Sequence, residues 1–531
     1  MRNMSNNIKL SMLAAMLICF ASCKKSFLDK ELIGINAQSG SLNNPENARA
    51  AINACYAYVN GGDWNQCMFP RLLMEASTDN GWGANDYQDR PGELGVCDFT
   101  GVNPFVSYIE NFYKNMHEGI RNCNFVIKGL ADVTAVPETT KNRYIAEAKF
   151  LRAFFYFELV KNFGDDVLQN DFNATDATLF LPRSKAADIY QQIYKDLKEA
   201  AATLPEKGQY AGSDKGRATK GAALGLLAKA YLFNGDYTNA EATALQIISS
   251  GKYSLETPFN KIFEPENVNG VESLFEVNYN NAVSFYNGPL LGDVTNAASV
   301  DGGWGWFGLT SDLENAYVAE GDDVRRKATI IKAGEVVDNE TPTRIYPKHL
   351  VGSKPGHTSW RYHRKYYLPL SKRVGPYGTY PFNDIKMRYA EILLIHAEAA
   401  AFNNKSAEAL TSLNLVRARV GLPIKTGLTG DALKQAIWNE RRLELAGEGT
   451  YRWDDIRRIV INGKKLISLL MGPNGTFVKY NTTINTDPVE KAGHREALNK
   501  GYYFKEGINE LWPIPASALN SNSSLTQNTG Y

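Results

Sequence analysis

One pair of short helical segments constrains this chain more than any other feature of its 531 residues. Leu224, Leu227, Ala228 and Tyr231 fall at the i, i+3, i+4, i+7 spacing of one helix face. Asn234-Gly235-Asp236 makes a turn, and Ala240 opens the next helix. An alanine at the crossing lets two backbones approach while a tyrosine fills the flank. The offsets recur downstream, where Leu393, Ala397 and Ala400 precede an Asn403-Asn404 turn and Ala409. Residues 186–204 carry a further stripe of Tyr190, Ile193, Tyr194, Leu197, Ala201 and Leu204, closed by Pro205. Residues 146–160 read as another helix of the first type.

Such offsets match tetratricopeptide spacing. They predict a mostly α protein: a helical-repeat scaffold assembled from distant parts of the sequence. From about 252 to 380 the pattern gives way to glycine, proline, asparagine and aromatics, a long loop-rich insertion expected to carry short strands. An insertion of that length in a compact protein is usually functional.

The N-terminus directs the chain outward. Arg2 and Lys9 precede an apolar run over 10–20, and Ala21-Ser22 lead into Cys23. A charged start, a short apolar core and small residues make a secretory signal over 1–22, too short to span a bilayer. A cysteine at its end is the place where bacterial lipoproteins take acyl chains, although Phe20 stands where leucine is usual. The mature chain, 23–531, reads as a single domain behind a polar tether over 24–45. With 58 basic and 57 acidic side chains it has no overall field to attract nucleic acid. Cys55, Cys67, Cys97 and Cys123 are too widely spaced for a metal pair, and the sequence leaves their pairing open.

Several blocks together resemble the SusD/RagB family of nutrient-capturing lipoproteins. Cys23 with Phe27-Leu28-Asp29 is similar to its mature start, Glu147 to Ala153 to its first conserved helix, and Gly216-Arg217-Ala218-Thr219-Lys220 to another. Arg388-Tyr389-Ala390-Glu391, Ala397-Glu398-Ala399, and Arg417 with Arg419-Val420-Gly421-Leu422 fit the late helices. Glu440-Arg441-Arg442, Glu444-Leu445 and Glu448-Gly449 follow, and Leu511-Trp512-Pro513-Ile514-Pro515 with Gln527 to Tyr531 closes the match. Asp165-Asp166-Val167 and Thr529 depart from the family's usual turn residues. The resemblance implies a lipid-anchored, surface-facing outer-membrane protein; no catalytic, cofactor or metal motif stands in the sequence, which leaves calcium binding open. Its partner would be a SusC-like TonB-dependent transporter.

It also implies a ligand platform built from loops. Trp304 and Trp306 stand among glycines, Trp82 lies in the similar stretch 79–87 with Asp79, Asn80 and Tyr87, and Tyr286 falls in the same insertion. A flat ring suits the C–H face of a sugar, while amides and carboxylates suit its hydroxyls. The same rings could instead fill gaps or contact the transporter. Peptide or another non-sugar nutrient remains open as the ligand, as does a surface glycoside hydrolase, which needs a carboxylate pair. Glu440, Glu444 and Glu448 recur at i+4 among arginines, which is expected of an ion-pair network. Gly303 to Gly308 satisfies G-x-G-x-x-G with Asp322 downstream, but the preceding residues make no convincing strand. His357 and His363 show no metal spacing, and His396 stands alone on a helix as a packed residue.

Overall fold

The computed structural model describes residues 42–60, 68–83, 95–170, 180–279, 307–337, 383–487 and 500–531, with short stretches within 292–373 and residue 490. Its helices are α1 (Pro45–Asn60), α2 (Met68–Ala76), α3 (Ser107–Ala131), α4 (Glu138–Phe163), α5 (Ala186–Thr203), α6 (Lys220–Phe233) and α7 (Tyr237–Ser249). After the insertion begins come α8 (Ser311–Glu320) and α9 (Asp323–Thr329). Then follow α10 (Tyr389–Phe402), α11 (Ser406–Arg419), α12 (Gly430–Leu445) and α13 (Tyr451–Arg458). The strands that matter below are β1 (Gly81–Trp82), β2 (Ser273–Val277), β3 (Gly308–Leu309) and β4 (Asp384–Arg388). Among the described residues no helix is long and apolar enough to cross a membrane.

The repeat pattern is observed as expected. Thr219 caps α6 by accepting from the Ala222 amide, and Asp236 caps α7 from Asn239. Between them Gly235 takes a φ of +75°, a conformation that suits glycine. Ala222, Ala223, Ala228, Ala240 and Ala244 are all fully buried, so small residues set the helix approach. Tyr231 stacks on Tyr194 of α5 at 4.3 Å, and Tyr237 lies flat on Phe402 of α10 at 3.9 Å. Leu393, Ala397, Ala400 and Ala409 repeat the arrangement at α10 and α11, again fully buried. His396 is buried with its Nδ1 2.9 Å from the Ser412 hydroxyl.

The scaffold meets the insertion through an antiparallel ribbon of β2 and β4, with Asp384 opposite Val277 and Arg388 opposite Ser273. Gly225 of α6 sits against it; a Cβ there would lie 2.4 Å from the Met387 sulfur and 2.9 Å from Leu274. The absence of a side chain is what permits the contact.

The sequence blocks that carried the resemblance meet in space. Glu147 accepts from Arg217 at 2.8 Å, joining α4 to the 216–220 segment. Asn528 donates to the carbonyls of Phe163 and Trp512 at 2.9 and 2.7 Å, tying the C-terminus onto the end of α4. Asp166, in the departing turn, pairs with Ser184 in an isolated bridge and accepts from the Tyr113 hydroxyl at 2.8 Å.

The charge alternation after 440 is an ion-pair lattice, and wholly interior. Arg388 is completely buried and donates to Glu272, Glu444 and Glu448. Arg325 reaches Asp322, Glu440 and Glu444, Arg417 reaches Glu440 at 2.7 Å, and Lys365 reaches Glu448. One detail differs from expectation: α12 ends at Leu445, and Gly447 at a φ of +74° turns the chain before Glu448. Glu448 therefore joins the lattice from beyond the helix, not from its face. Asp322 caps α9 and holds Arg325, which commits it to structure. Cys55, Cys97 and Cys123 are buried.

Candidate functional site

Two loops far apart in sequence are stitched together by β1 and β3, which pair antiparallel with Gly81 opposite Leu309 and Trp82 opposite Gly308. The Thr310 amide donates to the Asn80 carbonyl at 2.9 Å and its hydroxyl to the Asp79 carbonyl at 2.6 Å. Gly81 is needed for this close approach, since a Cβ would come within 2.9 Å of the Glu75 carbonyl oxygen. Trp306 stands two residues before β3 in the sequence, so the ribbon joins the two tryptophan-bearing segments.

Beneath the ribbon lies a polar floor. The Trp82 indole donates to Glu490 at 3.1 Å. Glu490 also accepts from the Ser311 amide at 2.6 Å and from Asn485 at 2.6 Å. Asp79 receives two parallel bonds from Arg452, each 2.7 Å, and lies 3.1 Å from Arg442. Burial pushes the Asp79 carboxyl up, but Arg442 and Arg452 prevail and hold it well below the usual carboxylate range. Asn80 accepts from Arg442 at 2.8 Å. Burial carries the Glu75 carboxyl up to about 7.

These contacts correct the expectation for Trp82, Asn80 and Asp79. Glycine neighbours suggested a displayed ring, yet Trp82 is 4% exposed and Asp79 and Asn80 are buried on internal partners. The physical reason is tertiary: Phe477 packs near one side of the indole at 6.5 Å, and the Lys500 ammonium lies 4.9 Å from the ring. In this conformation they brace a loop. Tyr87, Tyr286, Trp304, Trp306 and the lipidation candidate Cys23 lie outside the described residues. Glu490, Lys500, Ser311 and Arg361, which also approaches Glu490 at 3.5 Å, are parts of the floor that the sequence did not suggest. No spacing signal could have found Glu490, which meets Trp82 across 408 positions.

Among the described residues no cluster of histidine, cysteine and carboxylates could hold a metal ion. The carboxylates that most resemble an acid/base pair, Glu440 and Glu444, are claimed by arginines. Burial would raise Glu444, but Arg419, Arg388 and Arg325 keep it well below its ordinary value, an ion rather than a proton donor.

Known proteins share this architecture. One family model, described as the SusD family, matches residues 271–531, and another, described as starch-binding associating with outer membrane, matches residues 95–232. The chain belongs to the SusD/RagB family. It is similar to SusD-like protein P2 of Formosa agariphila, 29% identical over 97% of this chain and 98% of that one. It is also similar to the starch-binding protein SusD of Bacteroides thetaiotaomicron, 24% identical over 94% and 90% of the two chains. Among solved structures, a laminarin-binding SusD-like protein superimposes with a TM-score of 0.70 at 24% identity, over 92% of this chain and all of the other. A SusD-like carbohydrate-binding protein from Bacteroides fragilis gives 0.75 at 23% identity, over 91% and 99%. The family assignment and the mostly α repeat fold therefore agree.

Proposed function

We propose that the mature protein is a surface-facing lipoprotein that captures a glycan and passes it, unaltered, to a SusC-like TonB-dependent transporter. The observation that carries this reading is the β1–β3 ribbon, which pairs Gly81–Trp82 with Gly308–Leu309 in a SusD-family chain; Trp304 and Trp306 stand just before β3 in the sequence. The relatives named for starch and laminarin binding lend it support. In this reading Trp304, Trp306, Tyr286 and Tyr87 present rings to the sugar. Asp79, Asn80 and Trp82 act from below as their support. Affinity comes from stacking, and selectivity from polar groups at the ring edges. A weak site suffices, because a ligand held beside a channel acts at high effective concentration.

Cys23 would anchor the mature chain to the outer membrane through acyl chains, each buried methylene contributing about 0.8 kcal/mol. The test is retardation of the purified mature chain in gels containing neutral polysaccharides, with release of reducing ends measured alongside. Retardation that is weakened in a Trp304→Ala, Trp306→Ala double variant, with no reducing ends released, fits capture. Released reducing ends would make the protein a hydrolase. Binding of peptides in the absence of any retardation would make it a carrier of another nutrient.

A further inference from the structure

Between α1, the 207–219 segment and β2 runs a cleft of two chambers. The first encloses about 500 Å³ beside Arg49, Asn53, Tyr56 and Ala57, and the second about 580 Å³ beside Lys207, Tyr210 and Asn269. Both volumes fall in the ordinary range for small-ligand sites, roughly 300–1,000 Å³. Lys215, Gly216, Arg217, Phe275 and Glu276 line both chambers. Gly216 forms the waist: it has a φ of +90°, and a Cβ there would lie 1.6 Å from the Asn278 amide nitrogen. No residue of the β1–β3 ribbon or its floor lines either chamber.

The charges on the walls decide what fits. Arg49 is held by Asp214 at 2.9 Å, and Arg217 by Glu147 and Asp214, each at 2.8 Å. Lys207 spends its ammonium on the Gly270 and Ser273 carbonyls at 2.6 Å each. Two groups remain. Lys215 is exposed, with no ion pair among the described residues. Glu276 is 4% exposed; its Oε2 accepts from the Asn269 amide and from Asn383 at 2.9 and 2.8 Å, while Oε1 accepts from no described residue. An anionic ligand would be repelled by Glu276, and a cationic one by Lys215 and Arg49. A hydroxyl does what the walls ask, donating to Glu276 Oε1 and accepting from Lys215; the amides of Asn53 and Asn269 can each do both, and Asn278, whose Oδ1 already accepts from Asn269 and Asn383, can still donate. The unspent donors and acceptors match an uncharged polyol.

We infer that the cleft is a second binding site for a neutral oligosaccharide, with the Gly216 waist falling between sugar rings. The inference rests on the glycan-capture reading, but it concerns a different face. Ala57 is an exposed residue on the wall of the first chamber, so Ala57→Trp fills the chamber without entering the core. Calorimetric titration of the mature chain with maltoheptaose and laminarihexaose is the experiment. The expected result is two classes of site for one of these sugars. Ala57→Trp should abolish one class, and Lys215→Ala should weaken that class by about tenfold, the cost of one hydrogen bond to a charged group. The Trp304→Ala, Trp306→Ala variant should leave that class intact, and raised salt should barely change it. A single class untouched by Ala57→Trp would overturn the second site while leaving glycan capture standing. Binding in the cleft that collapses with salt would overturn the neutral assignment. Failure of the wild-type chain to bind either sugar, or any other neutral glycan, would remove the capture reading and this inference with it.

Discussion

Arg388 and Lys500 are both buried cations, 0% and 3% exposed, yet their surroundings follow opposite rules. Arg388 donates to three carboxylates, from Glu272, Glu444 and Glu448. Lys500 has no hydrogen-bond partner among the described residues and faces the rings of Trp82 and Phe477 at 4.9 and 5.5 Å. Burial disfavours both charges. At Arg388 the carboxylates more than offset it and lift the pKa well above the ordinary value. At Lys500 burial wins over the more distant Cys97, Asp79, Glu490 and Glu75 and lowers the pKa to about 8. Direct contact, not burial, decides which cluster locks the fold and which leaves a charge unspent. The locked cluster joins β4, α11, α12 and the insertion. The unspent one lies under the loop that carries the proposed platform.

The contrast can be broken most forcefully at Arg388. Arg388→Leu leaves three buried carboxylates short of their cation and should cost about 3–5 kcal/mol in chemical denaturation. A loss below about 1 kcal/mol would mean that the lattice is not the lock described. Trp82→Phe keeps a ring but removes the bond to Glu490, which retains other donors. A loss of roughly 1 kcal/mol is expected, with glycan affinity falling if the floor supports the platform. Lys500→Met should move in the reverse direction from Arg388→Leu, raising the unfolding midpoint by the equivalent of roughly 1 kcal/mol. Destabilisation by Lys500→Met would show that the ammonium has a partner of consequence after all.

A further effect concerns pH. The folded-state pKa of Glu75 is raised from 4.5 to about 7, so its contribution is fully present below 4.5 and is lost as pH climbs to 7. That of Lys500 is lowered from 10.5 to about 8, so folding opposes its charge below 8 and the penalty lifts as pH rises toward 10.5. Together they should produce a minimum of thermal stability between pH 7 and 8. In Lys500→Met the rise on the alkaline side should disappear. Its persistence would assign that limb to another group.

Much of the scaffold was legible in the sequence because its physics is local. Ala228, Tyr231 and Ala240 reveal a helix crossing through spacing alone, and the structure buries them as that spacing requires. The lattice was half legible. Alternating Glu and Arg after 440 announced ion pairs, but Arg325, Lys365 and Arg388 arrive from other segments, and Gly447 takes Glu448 off the helix. The floor beneath Trp82 was not legible. Glycines on either side of an indole look the same in sequence whether the ring is displayed or covered, and Glu490 and Lys500, which cover it, are more than 400 positions away. The pairing of Gly81 with Leu309 is also remote in sequence.

The account turns on the ribbon making one site from two loops. Hydrogen exchange of the mature chain, with and without a polysaccharide that retards it in gels, tests this most directly. Protection is expected to rise in peptides covering 79–87 and 303–311 together, at the same ligand concentration. Protection confined to one of these stretches, or absent from both while the glycan is bound, would contradict it.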